Sequence, residues 1–115
     1  MSESALVRKI KAAVKLRCPR AYVLKVADRF AGWAEKLTRN NDGALYDAAC
    51  FYAVCVRKDR PDEAVLAKVL ALLAKSRDAG FFKDAANVKQ FAEDEDLRTV
   101  REHPKFVEFA RSLKR

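Results

Sequence analysis

Two of the chain's three cysteines, Cys50 and Cys55, lie in the run ALYDAACFYAVC at 44–55. Paired cysteines can ligate a metal or supply a nucleophilic thiolate. Five residues apart, these two point about 140° away from each other on a helix. A shared metal would therefore need ligands from a distant segment, and the chain has no CxxC pair and one histidine, His103. A thiolate needs an electropositive, partly exposed setting, whereas this run is almost wholly apolar. Both cysteines read as small hydrophobes in a buried helix. Cys18, between Arg17 and Arg20, is the better-placed thiol. His103 precedes Pro104, the position of a helix N-cap. The acidic run EDED at 93–96 lacks the spaced ligands and turn glycine of a calcium loop and reads as the cap of a following helix. The glycines stand alone at 32, 43 and 80, so no phosphate-binding loop is present. The expectation is a chain that is not an enzyme, with no catalytic residue, no metal ligand and no cofactor.

The other candidate chemistry is charge. The chain carries 24 Lys/Arg against 16 Asp/Glu, net +8, and the excess is unevenly placed. Residues 1–39 hold ten bases and three acids, Glu3, Asp28 and Glu35, whereas the rest is near balance. Arg8, Lys11 and Lys15 recur at helical spacing, as do Lys25, Arg29 and Lys36, so two basic rows lie opposite two apolar stripes. Such rows are a candidate binding face for an acidic protein or peptide. Phosphate neutralisation on a nucleic acid is the alternative, although no helix-turn-helix glycine turn or RNA-recognition motif accompanies them. A membrane surface ranks behind both, because the apolar stripe of residues 1–18 has no aromatic residue and is needed for a core. A plain solvated face explains the same rows, since half-buried helices need charged outsides.

The elements that carry these residues are helices. Leu6, Val7, Ile10, Ala13 and Val14 form one stripe, capped by Ser2 or Ser4 and stopped by Pro19 near Cys18. A second helix puts Val23, Val26, Ala27, Phe30, Trp33, Ala34 and Leu37 on one face and ends at TRNNDG, residues 38–43. The third runs from Ala44 to Val56 with Asp47 as its one polar residue, so it should be buried on every side. Residues 57–60 turn the chain, and Pro61, Asp62 and Glu63 start a fourth helix with Val65, Leu66, Val69, Leu70, Leu72 and Leu73 inward. Gly80 stands where a left-handed helix cap is wanted. Short helices follow at about 84–92 and 95–101, and a last one starts at Pro104 with Phe106, Phe109, Ala110 and Leu113 inward.

At 115 residues, half of them hydrophobic, the chain makes one all-α domain able to bury a single core. Residues 1–39 are expected as an N-terminal helix pair, 44–79 as a second pair and 80–115 as a C-terminal cap of short helices. The apolar segments 44–56 and 64–74 are too short to span a bilayer, and no signal-peptide core is visible. An odd cysteine count argues for a reducing compartment, hence a cytoplasmic protein.

Three patterns together resemble a known family. They are Tyr46-Asp47-Ala48-Ala49-Cys50-Phe51-Tyr52-Ala53, the join Ala79-Gly80-Phe81, and a terminal Asp94-Glu95-Asp96-Leu97, Val100-Arg101 and His103-Pro104-Lys105-Phe106. The set is similar to the tetratricopeptide-repeat-like modules near the C-termini of some large bacterial serine/threonine kinases and related proteins. It covers roughly residues 44–113, and the first two helices fit a preceding, more degenerate repeat. The departures from the family pattern are Asp47 for Asn, Glu95 for Pro, Val100 for Leu and His103 for Asp, the last exchanging a strong N-cap for a weaker one. The resemblance implies stacked antiparallel helix pairs and a protein–protein interaction module without catalytic chemistry of its own. Arrays of this kind usually need about three units, so two pairs and a cap leave open a complete miniature, part of a longer array, or a homo-oligomer. The remaining alternative is a structural spacer with no discrete partner.

Overall fold

The computed structural model describes residues 20–57, 59 and 61–113. The expected first helix, with Arg8, Lys11, Lys15 and Cys18, lies outside them. Within them are five α-helices and two single turns of 3₁₀ helix, with no strand: α1 (Arg20–Lys36), α2 (Asp42–Ala53), α3 (Glu63–Asp78), a 3₁₀ turn (Phe81–Lys83), α4 (Ala85–Glu93), a second 3₁₀ turn (Glu95–Leu97) and α5 (Pro104–Ser112). All-α is thus the observed class.

The helix boundaries follow local chemistry. Asn40 takes a left-handed backbone, φ 50°, in the turn after α1, a conformation asparagine tolerates better than most residues. Residues Asp42 and Gly43, expected in the turn, form the first turn of α2, where the Asp42 carboxylate suits the positive end of the helix. That helix also closes before the expected Val56. The amides of Cys55 and Val56 bond back three residues, to Tyr52 and Ala53, rather than four, tightening the end into 3₁₀ geometry. Asp62, not Pro61, starts α3: its carboxylate accepts from the Ala64 and Val65 amides at 3.0 and 3.3 Å, leaving Pro61 just outside the cap. Gly80 has φ +101°, the left-handed cap that its place after Ala79 predicts. His103 caps α5, its Nδ1 accepting from the Lys105 amide at 3.2 Å.

Helix α2 is the centre of the fold. From Ala44 to Ala53 every residue except Asp47 is buried, as its apolar circumference requires. Contacts at both ends show that α3 runs back along it: Ser76 Oγ donates to the Asp42 carbonyl at 3.0 Å, and Lys68 Nζ lies over the Tyr52 ring at 5.3 Å. The α1 side is closed by Phe30, edge-on to Phe51 at 4.7 Å, among buried Val23, Ala27, Ala31 and Ala34. On the other side, Phe81 stacks on Tyr46 at 4.4 Å, and Phe91 stacks on Phe106 at 5.4 Å. Phe82 and Phe109 complete this aromatic cluster, which joins the C-terminal elements to α2. Aromatic pairs of this kind contribute about 0.5–1.5 kcal/mol each beyond their burial.

One expected core residue is not in the core. Trp33 is 43% exposed, and Val26 and Leu37 are half-buried. The seven apolar residues of the α1 stripe span a wider arc than α2 covers, so Val23, Ala27, Phe30 and Ala34 take the interface while Trp33 is left at its edge.

Candidate interaction face and polar junctions

The two tyrosines of α2 each donate to an acid on a different neighbour. Tyr52 donates to Asp28 of α1, and Tyr46 donates to Asp94 Oδ2, ahead of the second 3₁₀ turn, at 2.9 Å. Desolvation by burial raises both phenols above their ordinary range, followed by Cys50 and Asp94 at Tyr46 and by Asp28 at Tyr52, so both keep their protons.

On the α1 side, Asp28 also receives Lys68 of α3 at 3.4 Å, and Glu35 receives Lys75 at 2.9 Å. Each partner is forty residues along, so α1 and α3 lie parallel and one heptad apart between rungs. A shallow groove between them is floored by Tyr52 and Leu72 and edged by Ala31, Gly32 and Ala71. Exposed ion pairs of this kind contribute little stability, about 0–1 kcal/mol each. Their consequence is directional: the acids Asp28 and Glu35 are engaged by α3.

The predicted basic row lies about a quarter-turn round α1 from these acids, on the side away from α2. Lys25, Arg29 and Lys36 are all exposed, and at about 100° per residue they share one side of the helix. Tyr22, 56% exposed, and Trp33 lie beside them. No ion pair among the described residues engages these three bases. The structure therefore brings Lys25, Arg29 and Lys36 together with two exposed aromatics. Arg8, Lys11 and Lys15, the other half of the predicted face, lie outside the described residues.

The second polar junction was missed by sequence reasoning. Asp94 caps the 3₁₀ turn as expected of the acidic run, Oδ1 accepting from the Asp96 amide at 3.0 Å. Its other oxygen accepts from Tyr46 and lies 3.8 Å from Cys50 Sγ. Arg101 then holds the backbone, donating to the Asp94 carbonyl at 2.7 Å and the Phe91 carbonyl at 3.2 Å. Cys50 thus meets carboxylates of the distant segment that sequence spacing could not supply: one ligand atom each from Cys50, Asp94 and Asp96 lies within 4.8 Å of the others. Burial, then the nearby Asp94, Asp96 and Asp47, pushes the Cys50 thiol well up. The protonated thiol suits donation to Asp94, and the junction acts as a fastening between α2 and the C-terminal elements. Its signal in the sequence was the spacing of Tyr46 and Cys50, one helical turn apart on an otherwise apolar helix, where two buried polar atoms require one acceptor. Cys55, also buried, directs its thiol to the Phe51 carbonyl at 3.5 Å.

Among the described residues, no helix is long and apolar enough to cross a membrane. Comparisons with protein-family models, with curated proteins and with solved structures return no match.

Proposed function

We propose that the chain is a non-catalytic helical interaction module of tetratricopeptide-like type, binding an acidic protein through the open side of α1. The observation that carries this is the division of charge on α1. Its acids Asp28 and Glu35 are drawn to α3 by Lys68 and Lys75, while Lys25, Arg29 and Lys36 face outward beside Tyr22 and Trp33. Exposed Trp, Tyr and Arg in one patch is the composition enriched at protein interface hot spots. A single-sign row beside it steers an oppositely charged partner. The tetratricopeptide-like part of the reading is supported by α3 running back along α2 and by the α1–α3 rungs at a constant offset, as stacked helix pairs would give. The non-catalytic part is supported by what the buried polar groups do: Tyr46, Cys50 and Asp94 bind one another across the core.

A nucleic acid is the second reading, favoured by the exposed aromatics among the bases, since single strands stack on such rings. Fluorescence anisotropy separates the two. Labelled acidic peptides should bind at physiological salt and lose affinity when Lys25, Arg29 and Lys36 are reversed to Glu. Labelled DNA and RNA oligonucleotides should bind at low salt only, because that contact is counterion release. Oligonucleotide binding that persists at physiological salt, with none of the peptides bound, would reverse the order of the two readings.

A further inference from the structure

Resting on that assignment of the open side of α1, we infer that the partner docks there as an α-helix laid lengthwise, with an apolar stripe flanked by carboxylates. Tyr22, Val26, Arg29, Trp33 and Lys36 follow one another at steps of four, three, four and three residues. That alternation keeps a seam on one side of a helix and is the pattern into which a second helix packs. The seam spans fifteen residues, about 22 Å at 1.5 Å per residue, the length of a four-turn partner helix. Among the described residues it is open along this length: Tyr22 and Trp33 are 56% and 43% exposed, Arg29 and Lys36 are exposed and Val26 is half-buried. An extended peptide adds to a sheet edge through main-chain hydrogen bonds, and the middle of α1 has none to offer. Recognition must run through side chains at helical spacing, which favours a helical ligand.

The charges select the ligand further. Two of the five seam positions, Arg29 and Lys36, are cationic, and Lys25 adjoins them. Covering them with a wholly apolar helix would strip their water without replacement, which is costly. Carboxylates opposite these three positions, with apolar side chains opposite Val26 and Trp33, satisfy both requirements. The α1 helix of a second copy does not meet them, because α1 against α1 sets cation on cation while the copy's Asp28 and Glu35 are held by its own Lys68 and Lys75.

The chain has one tryptophan, and it is Trp33, so emission of the full chain reports on the seam directly. The probes are three synthetic helix-forming peptides three heptads long: one with a Leu/Ala seam and Glu flanks, one with the same composition scrambled, and one with Lys flanks. The Glu-flanked peptide should shift Trp33 emission to shorter wavelength and bind about tenfold or more tighter than the scrambled one. A Lys25→Glu/Arg29→Glu/Lys36→Glu variant should lose that binding and gain the Lys-flanked peptide. All three side chains are exposed, so the variant's circular dichroism should match that of the parent. Equal binding of the scrambled acidic peptide would overturn the helical ligand while leaving the acidic-partner reading intact. Failure of both acidic peptides, or Trp33 emission already that of a buried indole and moved by none of the probes, would overturn both.

Discussion

Replacing Asp94 by Ala removes three acceptor contacts at once: the Tyr46 hydroxyl at 2.9 Å, the Cys50 thiol at 3.8 Å and the Asp96 amide at 3.0 Å. Loss of the N-cap costs about 1 kcal/mol. The Tyr46 bond to a carboxylate contributes about 1.5–3 kcal/mol, and Tyr46 is only 1% exposed, so its hydroxyl is left without water to replace the acceptor. Asp94→Ala is therefore expected to cost about 2.5–4 kcal/mol. Tyr46→Phe should cost less, about 1–1.5 kcal/mol, because a half-buried Asp94 keeps its other contacts and some solvent. Asp94→Asn keeps an acceptor and a good N-cap, so it should fall between the parent and Asp94→Ala. Urea unfolding followed by circular dichroism measures all three, and a double-mutant cycle isolates the Tyr46–Asp94 coupling at about 1–2 kcal/mol. A cycle that closes with no coupling, or an Asp94→Ala cost below about 1 kcal/mol, would show that the contact is incidental to stability.

Other consequences follow from the same geometry. Burial and nearby carboxylates raise Cys50 from its ordinary value of 9.0 and Tyr46 from 10.0. The unfolded chain therefore loses these protons first: stability is fully present below about pH 9 and declines above it. Cys50→Ala should flatten the first part of that decline in unfolding measured across alkaline pH. Gly80→Ala should destabilise by about 1–2 kcal/mol, as read by thermal unfolding. The cause is the backbone at φ +101°, since the nearest neighbour of an added Cβ, Lys83 Cδ, is 3.7 Å away. Gly32→Ala, mid-helix with nothing within 4 Å of a Cβ, should have the opposite sign, gaining about 0.5–1 kcal/mol. Lys75→Ala should change stability by less than about 1 kcal/mol, because its pair with Glu35 is solvent-exposed.

Local chemistry made most of the helical framework readable in advance. The all-round apolarity of 44–53 announces a central helix, Gly80 the left-handed cap of α3, and His103 before Pro104 the start of α5. These signals act over a few residues and need no knowledge of neighbours. The spacing of Lys25, Arg29 and Lys36 was equally legible, but the separation of this row from Asp28 and Glu35 was not, because their partners stand forty residues away. The same limit hid the Asp94 junction: Tyr46 and Cys50 advertise a need for an acceptor, yet which acid meets it depends on how the C-terminal segment returns to α2. Trp33 was misplaced for a related reason. Helical periodicity ranks it with Phe30 and Ala34, and only the width of the surface that α2 presents decides which apolar residues are covered.

The aromatic fastening of residues 81–113 to α2 also decides what an incoming helix would meet. Phe81 against Tyr46, Arg77 over Phe109 at 5.5 Å and His103 beside Glu63 at 3.3 Å already occupy one flank of α2 and α3. A helix arriving there, from the same polypeptide or another, would have to displace these contacts before it could pack.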